Sequence, residues 1–106
     1  MINNELIDPD SIVVVGGSDD LNKPGGKILK NIIEGNYQGT LSVVNPHHKL
    51  IQGIRSYSNI NDVPSAGLAI LAISARYCLQ VVESLIREKG TKAFIIISAG
   101  FAESGE

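Results

Sequence analysis

Four short apolar runs divide the chain, and in none of them do polar and apolar residues alternate. Residues 11–15, 40–44 and 93–98 are rich in β-branched side chains, whereas residues 68–73 are richer in Leu and Ala. Continuous apolar runs of about four to eight residues are typical of strands that are covered on both faces, as in a parallel sheet between helices. The pattern therefore predicts four buried strands.

Two longer stretches, residues 25–35 and 76–89, carry apolar residues at helical spacing instead. The stripes are Ile28, Leu29, Ile32 and Ile33 in the first stretch and Leu79, Val82, Leu85 and Ile86 in the second. Pro24 suits the first turn of the first helix, and Gly90 suits the end of the second. We predict one helix in each stretch.

The predicted order is strand, helix, strand, a long connection, strand, helix and strand, which is the signature of βαβ units. Right-handed crossovers place the helices on the sheet faces. We therefore expect an α/β domain with a Rossmann-like three-layer α/β/α architecture and a mostly parallel sheet. The connection over residues 45–66 is long for a structureless loop, so residues 50–54 are candidates for a short extra strand and residues 58–63 for a helical turn.

Composition narrows the class of protein. The 106 residues suffice for one domain, and 43% apolar with 19% charged residues is ordinary for a folded chain. A net charge of −2 argues against a nucleic-acid-binding surface, and the single cysteine excludes an internal disulfide. No apolar run approaches the roughly 20 residues that cross a bilayer, and residues 1–10 lack the features of a signal peptide. We expect a soluble cytoplasmic protein that binds neither nucleic acid nor membrane.

Ligands of open parallel sheets bind at the carboxyl ends of the strands. Residues 16–26 are the most informative segment there, because small residues let the backbone approach a ligand and a helix N-terminus can hold phosphate. The Walker A and Gly-x-Gly-x-x-Gly motifs are both absent, since Ile28 follows Lys27 and Ser18 stands two positions after Gly16. A phosphate-binding loop and a plain tight turn before a helix both stay open.

The segment after the second strand, residues 45–49, reads Asn-Pro-His-His-Lys. An NAD-binding domain usually has Asp or Glu there to accept a hydrogen bond from the ribose. The neutral Asn45, followed by basic or titratable side chains, suits a phosphorylated ribose or an adenine edge better. The alternative for His47 and His48 is that they are exposed loop residues. They predict no metal site, because adjacent positions point differently and no Cys or carboxylate stands at ligand spacing.

The chain offers no catalytic residue. Ser74 follows a strand and suits a helix N-cap as well as a ligand contact. Ser98 lacks the Gly-x-Ser-x-Gly context of a serine nucleophile. Cys78 fits the second helix as a small buried residue. Asp19 and Asp20 are more typical of solvated loop charges than of an acid–base pair.

In these same segments the chain resembles the CoA-binding domain that opens ADP-forming acyl-CoA synthetases, relatives of the succinyl-CoA synthetase α subunit. The matching stretches are DPDSI at 8–12, VVVGGS at 13–18, KPGG at 23–26, VNP at 44–46, and IIISAGF at 95–101 with Glu103 after it. The similarity covers nearly the whole chain. Two positions depart from the family pattern: His47 stands where Lys is usual, and Ser74 stands where Pro is usual.

The resemblance implies a division of the site along the CoA molecule. Around the CoA phosphates it places Gly16, Gly17, Ser18, Lys23, Gly25 and Gly26. Near the adenosine part it places Asn45 and Pro46. Towards the pantetheine arm and the thioester end it places Ser74, Ala75, Ser98, Ala99 and Gly100.

The resemblance also implies a parent enzyme that interconverts acid, CoA and ATP with acyl-CoA, ADP and phosphate. Its phosphohistidine and ATP-grasp parts lie in other domains or subunits, so this chain binds CoA or acyl-CoA and is not catalytic alone. A related acetyltransferase that keeps the module as a regulatory part is also open. Two alternatives of other classes remain: an NAD(H)-binding sensor or dehydrogenase-type domain, and an interaction module that binds no nucleotide.

Residues 99–103 have the pattern of a helix that is about to begin. We therefore expect residues 1–106 to be one CoA-binding domain that is truncated at its C-terminus. An exposed edge strand or apolar face follows from that expectation, and with it a tendency to self-associate.

Overall fold

Nine short elements follow one another along residues 9–97, the part of the chain that the computed structural model describes. They are β1 (Ser11–Val15), α1 (Pro24–Glu34), β2 (Thr40–Val44), β3 (Leu50–Ile51), β4 (Ile54–Tyr57), a 3-10 turn (Ile60–Asp62), β5 (Leu68–Leu71), α2 (Ala75–Lys89) and β6 (Ala93–Ile96). Pro24 opens α1, and Gly90 ends α2 with a left-handed φ of 64°, as the sequence predicts.

The six strands of the described chain form one sheet in the order β3-β4-β2-β1-β5-β6. Every pairing among them is parallel except that of β3 with β4. The chain runs outward from β1 through β2 to β4, and then returns to the other side of β1 to form β5 and β6. This is a doubly wound order whose direction reverses between β1 and β5. The predicted Rossmann-like α/β fold with a mostly parallel sheet is confirmed.

The core lies on both faces of β1. Val14 packs with Leu29 of α1 on one face, and Val13 packs with Leu85 of α2 on the other. Both valines are fully buried, and so is Leu29. Because alternate residues of β1 enter two different cores, the strand is apolar throughout and shows no alternation.

The connection between β2 and β5 differs from the prediction. The sequence predicts one short strand over residues 50–54, but these residues form β3, a turn at Gln52 and Gly53, and the start of β4. Both turn residues have positive φ, 51° and 79°, as a two-residue hairpin requires. Arg55 and Ser56 interrupt the apolar pattern of β4, which hides it in the sequence. The predicted helical turn is confirmed as the 3-10 turn.

The apolar stripe of α2 also differs from the prediction. Cys78 and Leu85 are its buried positions, whereas Leu79 is 70% exposed and Ile86 is 53% exposed. At the end of the described sheet, Ile96 of β6 is 46% exposed. Self-association through this apolar surface stays a prediction. Neither helix within residues 9–97 is long and apolar enough to cross a membrane.

Because the core lies on both faces of the sheet, alanine substitutions of a buried and an exposed leucine should differ greatly in their effect on the free energy of unfolding. Replacing the fully buried Leu29 by Ala removes contacts with β1 and leaves a cavity, which should lower the free energy of unfolding by about 2–5 kcal/mol. Leu79→Ala at the exposed position should change it by less than about 0.5 kcal/mol. Urea unfolding of both variants measures the difference, and equal losses would contradict this assignment of the core.

Candidate ligand-binding site

The segment that leaves β1 begins where three strands are hydrogen-bonded together. The N–H of Gly16 donates to the carbonyl of Val44 at 2.9 Å, and the N–H of Ala72 donates to the carbonyl of Val15 at 2.8 Å. Residues 16–23, which we name the glycine loop, therefore start between the carboxyl ends of β2 and β5. This is the point at which the strand order reverses, and open α/β sheets bind ligands there.

The glycines of this region allow two backbone segments to touch. A Cβ atom on Gly25 would strike the carbonyl oxygen of Gly16, and one on Gly26 would strike that of Asp20. Gly16 has a φ of 90°, and a Cβ there would strike the carbonyl of Ala72. Side chains are thus excluded at these three positions, and the start of α1 packs directly on the glycine loop.

Hydrogen bonds within the loop fix its turns. The N–H of Asp20 donates to Ser18 Oγ at 2.9 Å, and the N–H of Asn22 donates to Asp20 Oδ1 at 2.9 Å. The loop then enters α1 through Lys23, whose extended backbone places it at the N-cap position, and its side chain makes no cap hydrogen bond. The N–H groups of Gly26 and Lys27 donate to the carbonyl of Lys23, at 3.1 and 3.0 Å. The positive end of the helix dipole lies at this entry, with the exposed Lys23 and Lys27 close to it along the chain.

Asn45 links the end of β2 to the glycine loop. Its Nδ2 donates to the carbonyl of Gly17 at 3.0 Å, and its Oδ1 accepts from the N–H of His47 at 2.8 Å. Its own N–H donates to the carbonyl of Tyr57 at 3.0 Å. Both ends of the Asn45 amide are therefore engaged within the protein. The Asn45 contact with adenosine that the family resemblance implies stays a prediction.

The residues after Asn45 are open to solvent. Pro46, His47, His48 and Lys49 are all exposed. They lie between the end of β2 and the start of β3, so they border the site on the side away from β5. The exposure of His47 and His48 agrees with their interpretation as exposed loop residues. Within residues 9–97 no group of three or more His, Cys, Asp and Glu side chains is arranged to hold a metal ion.

Gln52 belongs to the support of the loop, and local sequence patterns give no sign of it. Its side-chain Nε2 donates to the carbonyls of Ser18 and Gly26, each at 2.9 Å. Its backbone N–H donates to Asp19 Oδ1 at 2.7 Å. Asp19 is exposed, as predicted, but its carboxylate also has this structural partner. The one sequence feature that draws attention to Gln52 is its position as a long polar residue before Gly53 in a tight turn. That feature does not reveal hydrogen-bond partners 26 to 34 residues away.

The other border of the site is the start of α2. Ser74 occupies the N-cap position and is exposed, but its side chain makes no cap hydrogen bond. Ala75 is the first helical residue and is partly buried. Cys78 is buried, with Sγ 3.6 Å from the carbonyl of Ser74, as predicted for a small core residue. The remaining predicted contacts, Ser98, Ala99 and Gly100, lie outside the described residues, and their roles stay predictions.

A groove of about 290 Å³ runs beside the N-terminal half of α1. It is lined by Asn22, Pro24, Lys27, Ile28, Asn31 and Ile97. Apolar side chains of α1 and of the residue after β6 thus stand beside polar side chains and one cation. The groove adjoins the start of α1 and so lies beside the end of the glycine loop.

Fold and site together define the class of this protein. It is a Rossmann-like domain whose glycine loop and uncapped helix suit a phosphate-bearing ligand at the switch point. Residues 10–105 match the family model described as CoA binding domain. The chain belongs to that family.

Similar proteins agree with this assignment. The chain is 34% identical over 103 residues to ADP-forming acetate–CoA ligase II of Archaeoglobus fulgidus, covering 96% of this chain and 15% of the ligase. It is 37% identical over 105 residues to the α subunit of ADP-forming acetate–CoA ligase II of Pyrococcus furiosus, covering 95% of this chain and 22% of the subunit. The chain thus spans less than a quarter of the length of either relative.

A solved structure shows the same relation. The dinucleotide forming acetyl-coenzyme A synthetase 1 of Ca. Korarchaeum cryptofilum, in complex with phosphate and ADP, superposes with a TM-score of 0.84 at 30% sequence identity. The match covers 96% of this chain and 22% of the synthetase. The chain is therefore a CoA-binding domain, homologous to the α-subunit region of ADP-forming acyl-CoA synthetases.

The backbone contact at Gly25 predicts a specific loss on substitution. Gly25→Ala places a methyl group against the Gly16 carbonyl, which should destabilise the domain by about 1–3 kcal/mol. Displacement of the loop should also weaken CoA binding roughly tenfold or more, since hydrogen bonds to charged groups contribute about 1.5–3 kcal/mol. Calorimetric titration with CoA and a thermal melt measure the two effects.

Gly90→Ala is the matched control. Gly90 has a φ of 64°, and no atom lies within 4 Å of the place that its Cβ would occupy. Alanine there adds backbone strain of about 1–2 kcal/mol and no clash. Because Gly90 lies at the opposite end of α2 from the site, its substitution should leave CoA affinity unchanged. Equal affinities of the two variants for CoA would contradict the role given to Gly25.

Proposed function

We propose that the glycine loop and the start of α1 bind the phosphates of CoA, through Gly16, Gly17, Ser18, Lys23, Gly25 and Gly26. The contact of Gly25 with the Gly16 carbonyl carries this proposal, because it brings the loop backbone and the helix N-terminus to one place. The N–H groups of Gly16, Lys23 and Gly26 already donate to carbonyls of the protein. A ligand phosphate would therefore meet the N–H groups of Gly17, Ser18 and Gly25 at the positive end of the helix dipole. That is the usual way in which glycine-rich loops hold phosphate.

Electrostatics support the same assignment. A helix N-terminus stabilises an anion by about 0.3–1 kcal/mol at an exposed site and by up to about 2 kcal/mol when it is partly buried. Lys23 and Lys27 add two positive charges that attract the phosphates. Both lysines are exposed, so dissolved salt weakens this attraction. The chain as a whole is slightly acidic, so the attraction is local to the start of α1.

The two arms of CoA then leave this point in opposite directions. We assign the adenosine part to the end of β2, beside Asn45 and Pro46, where no carboxylate follows the strand. The exposed His47 and Lys49 stand near it along the chain; Lys49 supplies positive charge and the His47 ring can donate a hydrogen bond to the 3′-phosphate. The pantetheine arm is assigned to the β5 side, towards Ser74 and Ala75, and onward to Ser98, Ala99 and Gly100.

The parent protein, in this proposal, is an ADP-forming acyl-CoA synthetase. It interconverts acid, CoA and ATP with acyl-CoA, ADP and phosphate, and residues 1–106 supply the CoA-binding module. The phosphohistidine and the ATP-grasp part belong to downstream domains or subunits, which are the partners of this module. We place the protein in the cytoplasm, in keeping with a single cysteine that is buried and has no disulfide partner in the sequence.

Calorimetric titration with three ligands tests the binding assignment. The 106-residue chain should release heat with CoA, and 3′-dephospho-CoA should bind more weakly because the charge contact with the 3′-phosphate is lost. NADH should bind weakly or give no heat, because Asn45 replaces the carboxylate that accepts from the ribose.

Buffer dilution and the Gly25→Ala variant serve as controls for this titration. Heat with NADH alone would contradict the proposal in favour of an NAD(H)-binding domain. Silence with all three ligands would contradict it in favour of an interaction module.

A second prediction concerns turnover. The 106-residue chain, given acetate, CoA and ATP with magnesium, should form no acetyl-CoA, because the phosphohistidine and ATP-grasp parts belong to other domains. Its two histidines lie at adjacent exposed positions of the loop after β2, a setting unlike that of a buried nucleophile. Chromatography of the reaction mixture measures the product. Acetyl-CoA above the level of a protein-free control would contradict the prediction.

A further inference from the structure

Gln52 is not among the residues assigned to ligand contacts, yet it is hydrogen-bonded both to the glycine loop and to α1. Its Nε2 donates to the carbonyl of Ser18 near the start of the loop and to the carbonyl of Gly26 in the first turn of α1, each at 2.9 Å. These two contacts use both donors of the side-chain amide. The backbone N–H of Gln52 adds a third hydrogen bond, to Asp19 Oδ1 at 2.7 Å.

The backbone of Gln52 is in a conformation that its residue type disfavours. Its φ is 51°, and Gly53 after it has a φ of 79°. Two-residue hairpin turns with positive φ at both positions strongly prefer Asn, Asp or Gly at the first. A glutamine there is strained by its Cβ atom. Such local strain is a signal of function when the side chain makes contacts that a better turn residue would lose.

Apart from its backbone contacts with α1 and its hydrogen bond to β2, the loop is held by few side chains. Residues 19–23 are all exposed, and even the apolar Leu21 is 44% exposed, so their side chains fix the position of the loop only weakly. The bonds inside the loop set its turns, and Asn45 holds only its first part through Gly17. Within the described chain, Gln52 is the side chain that joins the beginning of the loop to α1.

We propose that Gln52 is a positioning residue of the CoA site. It holds the glycine loop against the start of α1, so that the backbone N–H groups are already arranged when the CoA diphosphate arrives. Preorganisation of this kind raises affinity by removing the entropic cost of ordering the loop on binding. This inference rests on the proposed function, because the proposed function assigns the glycine loop to the CoA diphosphate.

The variant Gln52→Asn separates positioning from turn stability. Asparagine suits the positive φ better than glutamine, so the thermal midpoint should stay the same or rise. Its side chain is one methylene shorter and does not span Ser18 and Gly26, so CoA affinity should fall about tenfold, the effect of losing one or two hydrogen bonds. Gln52→Met, which keeps the length and removes both donors, should lose affinity to a similar degree.

Two further measurements sharpen the test on the 106-residue chain. The affinity for CoA and for 3′-dephospho-CoA should fall by the same factor, because the diphosphate is common to both ligands. Amide hydrogen exchange of residues 18–23 in the free Gln52→Asn chain should be faster than in the wild type. Gln38→Met is the matched control: this exposed glutamine also donates Nε2 to a carbonyl, that of Asn36 at 2.8 Å, and its loss should change neither quantity.

The outcomes distinguish this inference from the proposed function. Wild-type affinity for CoA in Gln52→Asn and Gln52→Met would overturn the positioning role and leave the CoA site standing. A loss confined to CoA, with 3′-dephospho-CoA unaffected, would also overturn it, since Gln52 would then act on the 3′-phosphate. Failure of the wild type to bind either ligand would overturn both the CoA site and the role of Gln52.

Discussion

This domain depends on one close contact between two backbone segments, at the carboxyl end of the central strand β1. Gly25 in the first turn of α1 sits against the carbonyl of Gly16 at the end of β1, with no room for a side chain between them. That contact brings the start of α1 close to the end of β1, and Leu29, one turn further along α1, packs in the same core cluster as Val14. The same contact leaves the helix N-terminus open towards the switch point. Core packing and ligand binding therefore share one requirement.

The sheet around this contact separates support from recognition. β1 is buried on both faces and pairs with β2 and β5, which gives the site a rigid floor. The polar side chains that hold the loop come from the flanking elements: Asn45 from the end of β2 and Gln52 from the β3–β4 turn. Polar side chains from these flanking elements thus serve as structural links that hold the glycine loop in place.

Much of the fold could be predicted from the chain because each main element carries a local signal. The runs at β1 and β2 match the observed strands residue for residue, and Pro24 and Gly90 mark helix ends. The predicted α2 stripe is wrong at Leu79 and Ile86, because helical spacing identifies a set of apolar positions but not which of them faces the sheet. The β3–β4 hairpin escapes prediction, because its strands have two and four residues and no apolar periodicity.

The candidate site divides in the same way. The glycines, the Asn-Pro dipeptide and the small residues after the strands are visible in the sequence, because backbone approach and turns need those residue types locally. By itself the sequence determined the chain order of the two helices and of β1, β2, β5 and β6, the absence of a carboxylate after β2, and the family. Only the tertiary structure decided that Asn45 holds Gly17, that Asp19 has a backbone partner, and that Gln52 joins Ser18 to Gly26. Those contacts join residues that are 26 to 34 positions apart in the sequence. Which residues meet at such separations depends on the order of strands in the sheet, and no local sequence pattern reveals it.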